Sequence, residues 1–208
     1  MTKSVNKRLV ILLTVLVIAC GGLFALNGTF AGRVTYDDEQ VVLTGGNYNV
    51  DLGYLNSGNY ISLFSGNAQP FPENSEWCPG RSEIVYLKLS NAEAFPVDCS
   101  LSLKVKDSGF DDVISYAVIA EKLVPGSEAH PTSWEDFVSK AANGAAVLAD
   151  GTHQLTELQT LMPGDECYLA LCMHMSEEAT SQYQNKQMNL QFALRTNANY
   201  EPGATPGN

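Results

Sequence analysis

Three histidines, a set of short acidic clusters and five cysteines are the residues of this chain that could do chemistry. Neutral imidazoles could hold zinc or act as a general base. His130 reads as a loop residue, His153 as a position just past a turn, and His174 as a residue on the outer face of a strand. None sits at metal-ligand spacing, and the chain lacks His-Glu-x-x-His, Gly-x-Ser-x-Gly and a Walker loop. The acidic clusters are Asp37-Asp38-Glu39, Asp111-Asp112, Asp165-Glu166 and Glu177-Glu178. None has the alternating ligand spacing of a calcium loop, so each reads as a solvated turn or strand end. Gly21-Gly22 and Gly45-Gly46 are too isolated to cradle a phosphate. The residues therefore predict no catalytic site, no cofactor and no metal, and a protein that is not an enzyme.

Cys20 lies near the start of the chain, and Cys78, Cys99, Cys167 and Cys172 lie in the body. No Cys-x-x-Cys occurs, which argues against a zinc ribbon. Four cysteines in an exported chain admit up to two disulfides in any of three pairings, and spacing does not choose among them. Buried free thiols are the alternative.

Export is read from the head. Lys3, Lys7 and Arg8 precede an apolar run from Leu9 to Leu26, the layout of a signal peptide. Three readings stand. A signal peptidase cuts between Ala31 and Gly32, because Thr29-Phe30-Ala31 places small residues where such an enzyme reads. Alternatively, Val17-Ile18-Ala19-Cys20 is a loose lipobox and Cys20 is lipidated. In the third, the apolar helix stays as an anchor, although Gly21-Gly22 and Asn27-Gly28 weaken it. Each puts the rest of the chain outside the cytoplasm, with membrane contact only through the N-terminal segment. The expected organisation is a signal peptide or anchor over 1–31, one domain over 32–197 and a flexible tail over 198–208.

The chain has 12 Lys+Arg against 23 Asp+Glu, a net charge of -11. The head holds three basic residues and no acidic ones, so cleavage after Ala31 leaves 9 minus 23, or -14. That charge excludes nucleic acid as a partner and disfavours adsorption on anionic lipid.

The elements that must position these residues are mostly strands. Val50, Leu52 and Tyr54 alternate with Asn49, Asp51 and Gly53. The cleanest period-two stretch sets Val97, Cys99, Leu101, Leu103 and Val105 against Asp98, Ser100, Ser102 and Lys104, which points Cys99 inward. Further strands are expected at 34–43, 60–64, 85–89, 113–123, 168–175 and 188–196. One helix is predicted from Trp134, with Ser133 and Asp136 as a capping box and Gly144 as its stop. Ala145–Ala149, Asp150-Gly151 and Thr152–Leu155 read as a hairpin. The sum is an all-β, antiparallel, jelly-roll-like sandwich with one inserted helix.

Taken in order, these motifs resemble the bacterial TasA/camelysin group, exported proteins processed by a dedicated SipW-type signal peptidase. The resemblance rests on Gly28-Thr29-Phe30-Ala31, the Tyr36-Asp37-Asp38 segment and Thr44-Gly45-Gly46-Asn47 leading to Asp51-Leu52. It continues through Pro79-Gly80 to Asn91, the helix around Trp134 to Ser139, and Gln182-Tyr183-Gln184-Asn185 leading to Phe192. Gly32 and the body cysteines depart from that pattern. The resemblance implies a jelly-roll subunit of an extracellular biofilm matrix. It also implies self-association into fibres, or association with related matrix subunits, through a donor strand at roughly Gly32 to Leu43. Val34, Tyr36, Val41 and Leu43 would fill the neighbour's groove; pairing within its own subunit is the other possibility for that strand. A cell-surface lipoprotein or membrane-anchored binding module is the alternative function, and a zinc protease a third.

Overall fold

The computed structural model describes residues 32–45, 49–65, 68–71, 76–106, 109–110 and 112–198. The expectations for the head (including Ala31 and Cys20), for the turn at Gly46-Asn47 and for the tail beyond Ala198 lie outside the described residues. Among the described residues, no helix is long and apolar enough to cross a membrane.

The strands are β1 (Gly32–Gly45), β2 (Val50–Asn56), β3 (Asn59–Ser62), β4 (Glu76–Trp77), β5 (Ser82–Asn91) and β6 (Val97–Lys106). They continue as β7 (Ile114–Ile119), β8 (Ala145–Val147), β9 (Gly151–Gln154), β10 (Gln159–Leu161), β11 (Glu166–Met175) and β12 (Gln187–Ala198). The helix is α1 (Trp134–Lys140). One sheet runs β10-β6-β12-β1-β4, with β9 also on β6; the other runs β3-β2-β5-β11-β7-β8. Two sheets facing one another over a common core, with one α-helix among the described residues, make this an all-β sandwich. The pairings are antiparallel except that of β1 with β12, which is parallel.

Period-two patterning explains the core. Strand β6 alternates buried and half-buried residues from Val97 to Val105 and ends on exposed Lys106. Leu101 and Leu103 from one sheet and Leu52, Leu87, Leu89 and Leu169 from the other are buried to 0–1% exposure. Each such side chain contributes about 1.5–3 kcal/mol of transfer free energy. Strand β11 departs from alternation, because Ala170 and Cys172 are buried on its outer face. Helix α1 covers that face: Phe137 and Ala141 pack on Ala117, Ile119, Ala170 and Cys172.

The predicted cap forms with a shifted return bond. Ser133 Oγ accepts from the Asp136 backbone N–H at 3.2 Å, while Asp136 Oδ2 accepts from the Thr132 N–H at 3.1 Å. The helix ends earlier than Gly144. Ala141 is its C-cap, and Gly144, at φ 64°, closes the following turn by donating to the Ala141 carbonyl.

The expected hairpin around Asp150-Gly151 does not form. Strand β8 pairs with β7 in one sheet and β9 with β6 in the other. Between them Leu148 is fully buried in the core, so the chain crosses from sheet to sheet through an apolar anchor. Gly151 takes φ 138° at the crossing, where a side chain would be strained.

Candidate functional site

Two features could carry function, and β1 is the first. It lies beside β12, whose inward residues Met188, Leu190, Phe192 and Leu194 are all 0% exposed. Val34 pairs with Met188, Tyr36 with Leu190, Val41 with Phe192 and Leu43 with Leu194. The four residues expected to fill a groove thus sit at the register positions of four core residues of β12. The register shifts between Tyr36 and Val41, over the stretch that holds Asp37-Asp38-Glu39. Along its other side β1 is paired, among the described residues, at Gly32 and Arg33, with Trp77 and Glu76 of β4. Trp77 is fully buried, and among the described residues its indole N–H has no acceptor.

The second feature is a cleft of about 350 Å³ where the loop before α1 meets the outer face of β5 and β11. Ser82 and Ile84 come from β5, Cys172 and His174 from β11, and Thr132 to Glu135 from the helix start. Strand alternation puts Cys172 and His174 on this outer face, and the Ser133 cap places Trp134 against it. The Trp134 indole stacks on the His174 imidazole, with centroids 4.9 Å apart and planes at 11°. Ser82 Oγ and His174 Nδ1 share a hydrogen bond of 2.8 Å.

Burial holds the His174 pKa below its ordinary 6.5, against the opposing pull of Glu135 and Glu177. Burial likewise pushes the Cys172 thiol up to about 12, which leaves it protonated and unreactive at neutral pH. The Gly80 N–H donates to the Met175 carbonyl at 2.9 Å and is not available to an oxyanion. With a neutral imidazole, a half-buried indole and acidic Glu135 and Glu177 in its lining, the cleft suits stacking and hydrogen bonding to a neutral or cationic group.

The three histidines are not brought together. Tyr86 Oη and His130 Nε2 share a hydrogen bond, and His153 Nε2 contacts the Ala149 carbonyl at 2.7 Å with its ring edge-on to Tyr116. Among the described residues, no group of three or more His, Cys, Asp or Glu could hold a metal ion. Asp37-Asp38-Glu39 lies within β1 rather than at a turn or strand end, Asp111 lies outside the described residues, and the other acidic clusters sit at turns and strand ends. Asp165 Oδ2 accepts from the Met162 N–H, Glu166 bridges Lys88 and Tyr168, and Asp112 accepts from Tyr183 Oη.

Cys78, Cys99, Cys167 and Cys172 are all free thiols in the structure. Cys78 is exposed in the turn after β4, and Cys172 lies under α1. Cys99 and Cys167 belong to the main core.

No protein-family model matches the chain, and no curated protein matches it. Among solved structures it is similar to one described as "AvmM Catalyzes Macrocyclization in Alchivemycin A Biosynthesis". The likeness covers 61% of this chain and 85% of that one, at 14% identity and a TM-score of 0.27. A likeness that weak supports no inference about activity.

Proposed function

We propose that this protein is a secreted structural subunit of an extracellular matrix, one that polymerises by giving its N-terminal strand to a neighbour. The observation that carries this reading is the β1–β12 register. Val34, Tyr36, Val41 and Leu43 match the buried row of β12, while among the described residues most of β1 is paired along one side. A strand held on one side can leave as a unit, and departure uncovers the β12 edge beside Met188, Leu190, Phe192 and Leu194. The same segment from a second molecule restores the same main-chain bonds, which is β-augmentation. Passing the segment onward makes a head-to-tail contact that need not close, and therefore a filament. The resemblance to the TasA/camelysin group points the same way, as does the expected cut, since β1 begins at Gly32.

The test uses protein starting at Gly32, examined by electron microscopy and by sedimentation over a concentration series. Filaments that disappear on deleting 32–43, with a synthetic 32–43 peptide binding the deleted protein, are the expected result. A monomer at all concentrations, together with a peptide that does not bind, overturns the proposal.

The cleft beside Trp134 favours a second reading, a surface binding module. The chain has two tryptophans, and Trp77 is fully buried, so ligand-dependent changes in emission report on Trp134. Titration of small neutral and cationic compounds against the protein and its Trp134→Phe variant tests it. Quenching confined to the unsubstituted protein supports a ligand site; an unresponsive emission counts against one.

A further inference from the structure

Of the body cysteines, Cys99 and Cys167 are the pair placed to react with each other. Cys99 is an inward residue near the start of β6, and Cys167 is an inward residue near the start of β11, in the opposite sheet. Both strands start at the same end of the sandwich, and that end is tied across. Asn91, at the end of β5, bonds through its backbone with Asp165 and Gly164, just before β11. Its side-chain Nδ2 donates to the Leu161 carbonyl of β10 at 2.9 Å, and Leu161 pairs with Val97 of β6. Cys167 lies two residues beyond Asp165, and Cys99 two residues beyond Val97. The two thiols therefore fall in the same layer of the core, one step in from the clamp that draws the sheets together.

Electrostatics agrees with this placement. Burial, the neighbouring Cys167 and Asp98 together raise the Cys99 thiol to about 11. The other cysteines are excluded by position. Cys172 lies on the far face of its sheet, and its register partner is Ile84. Cys78 is held at the far end of β11: the Arg81 N–H donates to the Cys78 carbonyl, and the Arg81 carbonyl accepts from the N–H of Met175, three extended residues or about 10 Å along β11 from Cys172, against the roughly 4.4–6.8 Å between Cα atoms that a disulfide needs.

We infer that Cys99 and Cys167 are the site of a single inter-sheet disulfide, while Cys78 and Cys172 remain thiols. Inter-sheet bridges of this kind occur in other β-sandwiches. The co-reactant is a small disulfide such as oxidised glutathione. The half-buried Cys167 attacks it as a thiolate, forms a mixed disulfide and expels one glutathione thiolate. Cys99 then attacks the Cys167 sulfur and expels the second. Two protons and two electrons leave the protein, and one oxidised glutathione becomes two reduced ones. Because the Cys99 thiolate is scarce near neutral pH, ring closure in the folded protein is slow and accelerates as pH rises, or completes during folding.

The experiment refolds the protein with oxidised glutathione at pH 8.5, alkylates in denaturant and maps peptides without reduction. The expected product has a Cys99–Cys167 cross-linked peptide, with Cys78 and Cys172 both alkylated. A bridge to Cys78 or Cys172, or alkylation of all four of Cys78, Cys99, Cys167 and Cys172 after oxidation, overturns the inference. A melting comparison substitutes only the half-buried partner, Cys167, and leaves the fully buried Cys99 in place. Dithiothreitol lowers the Tm of the oxidised protein and leaves that of Cys167→Ser unchanged; an equal fall in both overturns the assignment. None of these outcomes depends on whether the protein polymerises.

Discussion

Asn91 is a polar side chain at 2% exposure that is used from both ends. Its amide donates to the carbonyls of Phe95 and Leu161, and its oxygen accepts from the Glu93 N–H. Replacing it by alanine strands two carbonyls and one N–H near the core, and each buried orphan costs about 1–3 kcal/mol. Asn91→Ala should therefore lose about 3 kcal/mol of stability in urea unfolding, and a loss below about 1 kcal/mol would show that water replaces the clamp. His174 gives a prediction with a sign. Burial depresses its folded pKa below 6.5, so the unfolded chain takes up the proton first as pH falls. Its contribution is intact above 6.5 and is lost as pH drops through 6.5 and then through the folded value. Glu135 and Glu177 favour the protonated ring and soften the loss without reversing its direction. Between pH 7.5 and 5.5, His174→Gln should lose less stability than the unsubstituted protein; an equal or larger loss assigns the pH dependence elsewhere.

At the scale of elements, helix α1 is the cover of the cleft and depends on its first turn. Ser133 and Asp136 were legible as a cap because the hydroxyl-to-N3 bond is local. Ser133→Ala should cost about 1 kcal/mol at unchanged m-value, and should loosen the Trp134–His174 stack, read as a change in tryptophan emission. Strand β6 was legible for a similar reason: alternation is the imprint of one wet and one dry face. The failures come from contacts that are distant in sequence. Asp150-Gly151 carries the local signature of a two-residue hairpin, yet burial of Leu148 sends its two arms to different sheets. Parallel pairing of β1 with β12 joins the two ends of the described chain, and no window of residues contains both. The cleft was missed likewise. Each of Ser82, Trp134 and His174 reads alone as a strand or helix residue, and only the packing of α1 on β5 and β11 makes them neighbours. Inward-facing Cys99 was visible in the alternation, but its opposition to Cys167 depends on how the two sheets stack.

At the scale of the whole molecule, assembly has to work against charge. The chain from Gly32 carries 9 basic and 23 acidic residues, or -14, so neighbouring subunits repel while donor and acceptor surfaces approach. The attraction proposed for the seam is short-ranged, from main-chain bonds and apolar burial beside Phe192 and Leu194. Salt acts mainly on the repulsion: the Debye length falls from about 30 Å at 0.01 M to about 8 Å at 0.15 M. If β1 is the donated strand, polymerisation of the protein starting at Gly32 should therefore be faster at 0.15 M than at 0.01 M salt, followed by light scattering at fixed protein concentration. Replacing Asp37, Asp38 and Glu39 by Asn, Asn and Gln makes the net charge three units less negative, within the stretch where the β1–β12 register shifts. That variant should polymerise faster at low salt and converge on the unsubstituted rate at 0.15 M. Scattering that grows more slowly as salt is added would mean that opposite charges, not strand exchange, hold the subunits together.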